Sequence, residues 1–195
     1  MFHKLNLERL PTLEINVVDD SLEIRSAEFS CLVRFSSEGI EKVEYSAEDE
    51  VHLISENDAM TVVVGSGNSE RRVTHFLRPT GPASSLRLGL TEHLGDGTWS
   101  SLPHGFEKNV EPGFEELFMY LLDGGTRTAV QRGHGIWCNG EEVDDAWLVR
   151  DRDLSVIPMG YHPVVGEPGV TVRYLWAYLA KHDRWEKITN GGEPR

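Results

Sequence analysis

Cysteine is scarce: the 195 residues hold two, Cys31 and Cys138, with no C-x-x-C spacing. That excludes a disulfide framework and a zinc knuckle, and leaves two buried thiols as the expectation. Basic residues are also in deficit. Nineteen Lys+Arg face 32 Asp+Glu, a net charge of −13 at pH 7. A nucleic-acid backbone is therefore not the expected partner, because that affinity rests on Lys and Arg neutralising phosphates. A small anionic substrate remains compatible, since one local Arg or a bound metal outweighs a distant acidic surface. No apolar run approaches ~18 residues, so no transmembrane helix is expected. The opening Met-Phe-His-Lys-Leu-Asn-Leu-Glu has no sustained apolar stretch and no small-residue cleavage site, which makes the cytoplasm the expected location. Repeats, low-complexity tracts and long helical periodicities are missing too.

What is present is a succession of short β-branched or alternating stretches bounded by Gly, Ser, Asp and Asn. In the first third these are 13–18, 28–35, 42–45, 51–55 and 60–64. After them come 72–77, 85–90, 114–122, 126–131, 135–138, 145–149, 154–158 and 170–179. Asn139-Gly140 is a strong hairpin turn signal. The only helical expectation is a short piece within 2–9. This pattern indicates an all-β sandwich or barrel. Gly65-Ser-Gly-Asn-Ser-Glu70 has the composition of a turn or linker and sets an expected boundary, with a partial N-terminal β segment over 1–65 and a main domain over 66–190. Residues 1–65 carry 5 basic and 14 acidic side chains, so −9 of the −13 lies there. A solvated acidic face accounts for it, with a docking surface as the alternative.

Two places concentrate polar chemistry. In the run from Glu116 to Leu122 both strand faces are apolar, with Leu117, Met119 and Leu121 on one side and Phe118, Tyr120 and Leu122 on the other. Period two puts Glu116 on the face of Phe118 and Tyr120. A carboxylate at the mouth of a buried strand needs a metal, a base role, or solvent at the strand end. His162 follows the Pro158-Met-Gly-Tyr turn, which can aim an imidazole inward beside Glu116 or serve a structural role.

The stretches Gly97-Thr-Trp-Ser-Ser-Leu-Pro-His104, Glu115-Glu-Leu-Phe-Met-Tyr120 and Pro158-Met-Gly-Tyr-His-Pro-Val-Val165 resemble the C-terminal half of the cupin-fold sugar isomerases of the KduI/IolB type, 5-deoxyglucuronate isomerase among them. The resemblance covers roughly residues 66–185. It implies a cupin, that is, a double-stranded β-helix or jelly-roll barrel, preceded here by a shortened N-terminal β segment. The family holds a divalent metal with an H-x-H pair, a Glu opening the next strand and a His after the Pro-x-Gly turn. Carried over, the metal ligands are His104, Glu116 and His162. The sequence departs from the pattern at the pair: if His104 is its first member, Phe106 stands in the second slot and does not ligate. Glu107 is then a fourth ligand or the base.

The resemblance further implies metal-dependent aldose–ketose isomerisation of a uronic-acid-like sugar such as 5-deoxyglucuronate, in carbohydrate or inositol catabolism. The metal is Zn, Mn, Fe or Ni, which all accept imidazole and carboxylate. Tyr161 or Tyr120 is the expected donor to a developing oxyanion, and Arg173 or Arg132 the expected partner of the substrate carboxylate. A homodimer is the expected assembly. A non-catalytic small-molecule-binding cupin with a decayed metal site is the alternative reading.

Overall fold

A computed structural model describes residues 3–83, 85–100, 105–106, 115–179 and 187–188. The front of the chain forms β1 (Lys4–Leu5), β2 (Glu14–Val18), β3 (Ser21–Arg25), β4 (Phe29–Ser36), β5 (Gly39–Ala47) and β6 (Glu50–Ser55). Next come β7 (Met60–Val64), β8 (Arg71–Leu77), β9 (Leu86–His93), β10 (Gly105–Phe106) and β11 (Glu116–Asp123). The remainder is β12 (Thr128–Ile136), β13 (Glu142–Arg150), β14 (Leu154–Ile157), β15 (Met159–Tyr161), β16 (Val164–Gly166), β17 (Thr171–Leu179) and β18 (Lys187–Ile188). Among the described residues the only helical turns are three-residue 3-10 pieces, one of them at Leu7–Arg9.

Three layers result. Strands β2 to β6 make an antiparallel meander in sequence order. Its inner face is set by simple alternation: Phe29, Cys31, Val33 and Phe35 are buried along β4, with Leu22 and Ile24 beside them on β3. A seven-stranded sheet, ordered β1-β14-β11-β17-β9-β8-β7, packs against that face through Leu86, Leu88, Leu117, Met119, Leu121, Leu175 and Ala177. Its other face carries Phe118, Tyr120, Leu122, Val172, Tyr174 and Trp176, which meet Ala129, Val149, Met159 and Val164 of a third sheet. In that sheet β12 pairs with β13 along one edge and with β15 and β16 along the other. The seven- and four-stranded sheets together enclose the interior of a cupin barrel, and the meander covers the barrel's back.

At its centre the middle sheet has no solvated face, so β11 is buried at every position from Glu116 to Leu122, whereas the edge strand β7 is partly exposed. Glu115, just before it, is 1% exposed and accepts the backbone N–H groups of Thr12 at 3.1 Å and Leu13 at 2.9 Å. This buried carboxylate ties the first segment of the chain to the start of β11.

Several expectations need revision. The stretch 65–70 is a turn inside one sheet, not a boundary: β7 and β8 pair antiparallel across it from Met60↔His75 to Val64↔Arg71. A 3-10 turn with a Ser66/Ser69 capping box closes it. Composition does not separate a linker from a tight hairpin connection, whereas the ladder does. The change of sheet falls instead at Glu56–Asp58, between β6 and β7. Strand β3 escapes the periodicity reading because only Leu22 and Ile24 are apolar between Ser21, Glu23 and Arg25. The two short stretches 126–131 and 135–138 are parts of the single strand β12, whose Gly133 and Gly135 mark close approach and not a break. At Gly135 an ideal Cβ would lie 1.7 Å from the Met159 carbonyl oxygen. Asn139-Gly140 does turn the β12–β13 hairpin, with Gly140 at φ 86°.

Gly89 on β9 lies opposite Trp176 of β17. A Cβ there would sit 2.3 Å from the indole and 2.5 Å from the Thr74 carbonyl oxygen, which belongs to the backbone and does not yield. Gly89→Ala is expected to destabilise the fold by about 1–3 kcal/mol in urea unfolding, the usual cost of overpacking a filled core. An unchanged midpoint contradicts this packing of Trp176.

Candidate metal site inside the barrel

Glu116 opens β11 on the inner face of the middle sheet, between Tyr178 of β17 and Ile157 of β14. His162 leaves β15 directly after the Pro158-Met-Gly-Tyr161 turn. Both side chains are almost wholly buried, and His162 Nε2 lies 3.7 Å from Glu116 Oε2. That separation is too long for a hydrogen bond. Burial pushes the Glu116 carboxyl up to about 8 and pulls the His162 imidazole down to about 4, with the Pro158 carbonyl partly opposing. Burial thus disfavours the charged form of both groups, which works against an ion pair between them.

The ring is oriented. His162 Nδ1 lies 3.1 Å from the Pro158 carbonyl oxygen. A carbonyl only accepts, so Nδ1 carries the proton and Nε2 presents its lone pair toward Glu116. Glu116 Oε2 is buried and has no hydrogen-bond partner among the described residues. Two ligands at about 2.1 Å from a tetrahedral ion stand roughly 3.4 Å apart. The observed pair is within a few tenths of an ångström of that spacing, and imidazole with carboxylate suits a divalent transition metal. Among the described residues no group of three or more His, Cys, Asp or Glu gathers as a metal cluster. The sequence-derived candidates His104 and Glu107 lie outside the described residues. Gly105–Phe106 form β10, which pairs antiparallel with β18.

Aromatic rings line the chamber beside this pair. Phe118 stands edge-on to His162 at 5.7 Å and against Tyr174 at 4.5 Å. Trp176 stacks on Tyr178 at 6.0 Å, with His75 edge-on to the indole at 5.4 Å. Deeper along the sheet, His93 Nε2 lies 2.6 Å from Ser100 Oγ, which is 3.1 Å from the Tyr174 hydroxyl.

Tyr161 and Arg173 have different fates. Tyr161 sits next to His162, half-buried, and its hydroxyl oxygen accepts the Trp99 indole N–H. Arg173 is not in the chamber. It alternates with Tyr174 on β17 and so faces the opposite side of the sheet, pairing with Glu92 at 3.2 Å and Glu38 at 3.8 Å. Being an arginine on a barrel strand did not decide which face it took; period two did. Sequence reasoning missed Glu115, Gln131 and the His93–Ser100–Tyr174 chain. Period two along β12, from buried Ala129, was the one signal for Gln131.

The interior histidines generate a pH dependence. Burial, then the nearby Arg71, pulls His93 down to about 4 from 6.5, and burial with Arg78 does the same for His75. Between pH 6.5 and 4 the unfolded chain then binds more protons than the folded one, so stability falls as pH is lowered through that window. His93→Gln, which keeps a hydrogen-bonding group for Ser100, is expected to flatten the slope, removing at most about 3 kcal/mol of acid sensitivity. Urea titrations at pH 4.5 and 7 measure it, and equal slopes in the two proteins contradict the neutral buried ring.

Comparison with known proteins follows the same strands. Residues 36–193 match the KduI/IolB family. The 5-deoxy-glucuronate isomerase of Geobacillus kaustophilus (strain HTA426) is 32% identical over 127 residues, 63% of this chain and 45% of that protein. The enzyme of the same name from Bacillus subtilis (strain 168) is 27% identical over 126 residues, again 63% and 45%. The chain thus matches less than half the length of these curated relatives. In fold it is similar to the crystal structure of an IolB-like protein from Salmonella typhimurium LT2, with a TM-score of 0.60 and 19% identity over 91% of this chain and 74% of the other. The match takes in all of the middle sheet but β1, the third sheet and both members of the buried pair, and on that extent the chain belongs to the KduI/IolB family.

Proposed function

We propose that this protein is a sugar-acid isomerase that interconverts an aldose and a ketose, on a uronic-acid-like substrate such as 5-deoxyglucuronate. The observation that carries the reading is the Glu116–His162 pair, two buried groups 3.7 Å apart, with Glu116 Oε2 lacking a hydrogen-bond partner among the described residues. The names of the relatives supply the substrate class.

Glu116 and His162 would hold a divalent metal, with His104 completing the shell and Glu107 as a fourth ligand or the base. When bound, such an ion polarises the sugar carbonyl and steadies the neighbouring hydroxyl. The chain's own groups do the rest. The Pro158 carbonyl keeps the His162 proton on Nδ1, so the imidazole stays neutral and correctly turned. Tyr161 accepts from the Trp99 indole, which leaves its own O–H proton to be donated to the carbonyl oxygen as negative charge develops. A carboxylate base takes the proton from the hydroxyl-bearing carbon and returns it to its neighbour, while the hydroxyl that becomes the new carbonyl gives its proton back to Tyr161, with no net oxidation. The rings of Phe118, Trp176 and Tyr178 keep bulk water away from the reacting carbons.

Elemental analysis of protein prepared without chelator tests this. About one Zn, Mn, Fe or Ni per chain is expected, falling to background in His162→Ala and in Glu116→Gln, with uronate isomerisation lost in both. A metal-free wild type, also after reconstitution, sinks the isomerase mechanism and favours the non-catalytic ligand-binding barrel.

A further inference from the structure

The third sheet has a defect beside His162. Strand β12 pairs with β15 at His134, Gly135 and Ile136, and with β16 at Ala129, Val130 and Gln131. Between those two ladders the opposite strand is interrupted at His162 and Pro163. Proline has no N–H to contribute, and a residue preceding proline is held out of helical conformations, so this step is extended yet lacks regular pairing.

One backbone bond, from the Arg132 N–H to the Pro163 carbonyl at 2.8 Å, and one side chain bridge the gap. Gln131 is fully buried. Its Nε2 shares two N–H protons among the His162 carbonyl at 2.7 Å, the Arg132 carbonyl at 2.9 Å and the Pro163 carbonyl at 3.1 Å. Its Oε1 accepts the Tyr120 hydroxyl at 2.8 Å. Carbonyl oxygens only accept, so the NH2 end must face His162, and Tyr120, donating to the other end, settles which way the amide lies. His162 is thereby gripped twice, at its backbone by Gln131 and at its ring by Pro158. Tyr120 lies on β11, two residues on from Phe118 and four from Glu116 along the same face, so the chain Tyr120–Gln131–His162 connects the strand that presents the carboxyl to the turn that presents the imidazole.

We propose that Gln131 is a positioning residue, oriented by Tyr120, that sets the His162 imidazole against Glu116 across the barrel. Its functional meaning rests on the metal reading given above. A leucine would fill the same space while removing the donor to the His162 carbonyl; the Pro163 carbonyl would keep the Arg132 backbone N–H, so the loss falls on His162.

The test uses the full chain in two states. In metal-free protein, proton–nitrogen NMR of the His162 ring is expected to show a slowly exchanging Nδ1–H in the wild type, lost or averaged in Gln131→Leu. In a visible-absorption titration with Co(II), Gln131→Leu is expected to bind 10–100-fold more weakly, the usual effect of removing a ligand's supporting hydrogen bond. Tyr120→Phe should shift both readouts in the same direction by less. Trp147→Phe, which loses a hydrogen bond to Ser155 in the same barrel, should move neither. A wild-type Nδ1–H signal that persists in a folded Gln131→Leu protein overturns the proposal. If Gln131→Leu does not fold, an unmoved ring signal in Tyr120→Phe overturns it instead. A wild type that takes up no Co(II) counts against the metal reading alone, and the ring signal still decides the positioning role.

Discussion

Strand β11 is buried on both faces, and the rest of the molecule is arranged around that constraint. Leu117, Met119 and Leu121 must meet the meander, while Phe118, Tyr120 and Leu122 must meet the third sheet. A one-residue slip would exchange the two sets and carry Glu116 into a layer of leucines, so the register is strongly specified. Two adjacent carboxyls at the start of the strand then have opposite surroundings. Glu115 receives backbone N–H groups from Thr12 and Leu13 and serves the fold. Glu116, one residue on and therefore on the other face, has an Oε2 with no partner among the described residues, and burial pushes its carboxyl up. Its environment is the one in which a carboxyl gains most from a cation.

The chamber behind Glu116 is consistent with that role. Its titratable groups are kept neutral by desolvation: His75, His93 and His162 near 4 and Glu116 near 8. The acidic character of the chain is concentrated elsewhere, on residues 1–65. A buried, ring-lined interior strengthens any electrostatic interaction made inside it. The meander contributes no residue to this pair. It stands behind the middle sheet, closing its far face, and the acidic excess of the front segment is largely solvated there.

Much of this was legible in the sequence. The alternation from Glu116 to Leu122 assigns both faces of β11 correctly, and places Glu116 with Phe118 and Tyr120 as the structure has it. The Pro158-Met-Gly-Tyr161 turn does deliver His162 beside that carboxyl. What was not legible depended on pairing at a distance. Gly65 to Glu70 reads as a linker until the β7–β8 ladder is seen. Arg173 reads as a substrate ligand until its register places it opposite Leu121 and Glu92, on the far side of the sheet. Period two turns Gln131 inward but does not reveal its role, because the His162 and Pro163 carbonyls it reaches lie 31 and 32 residues away across an interrupted ladder.

The central claim is that Glu116 and His162 are two ligands of one metal ion. Anomalous diffraction from metal-soaked crystals, collected at and below the absorption edge of the bound ion, tests it most directly. The account predicts a single strong peak within about 2.0–2.2 Å of both Glu116 Oε2 and His162 Nε2. A peak elsewhere in the barrel, or one that touches neither side chain, would contradict it.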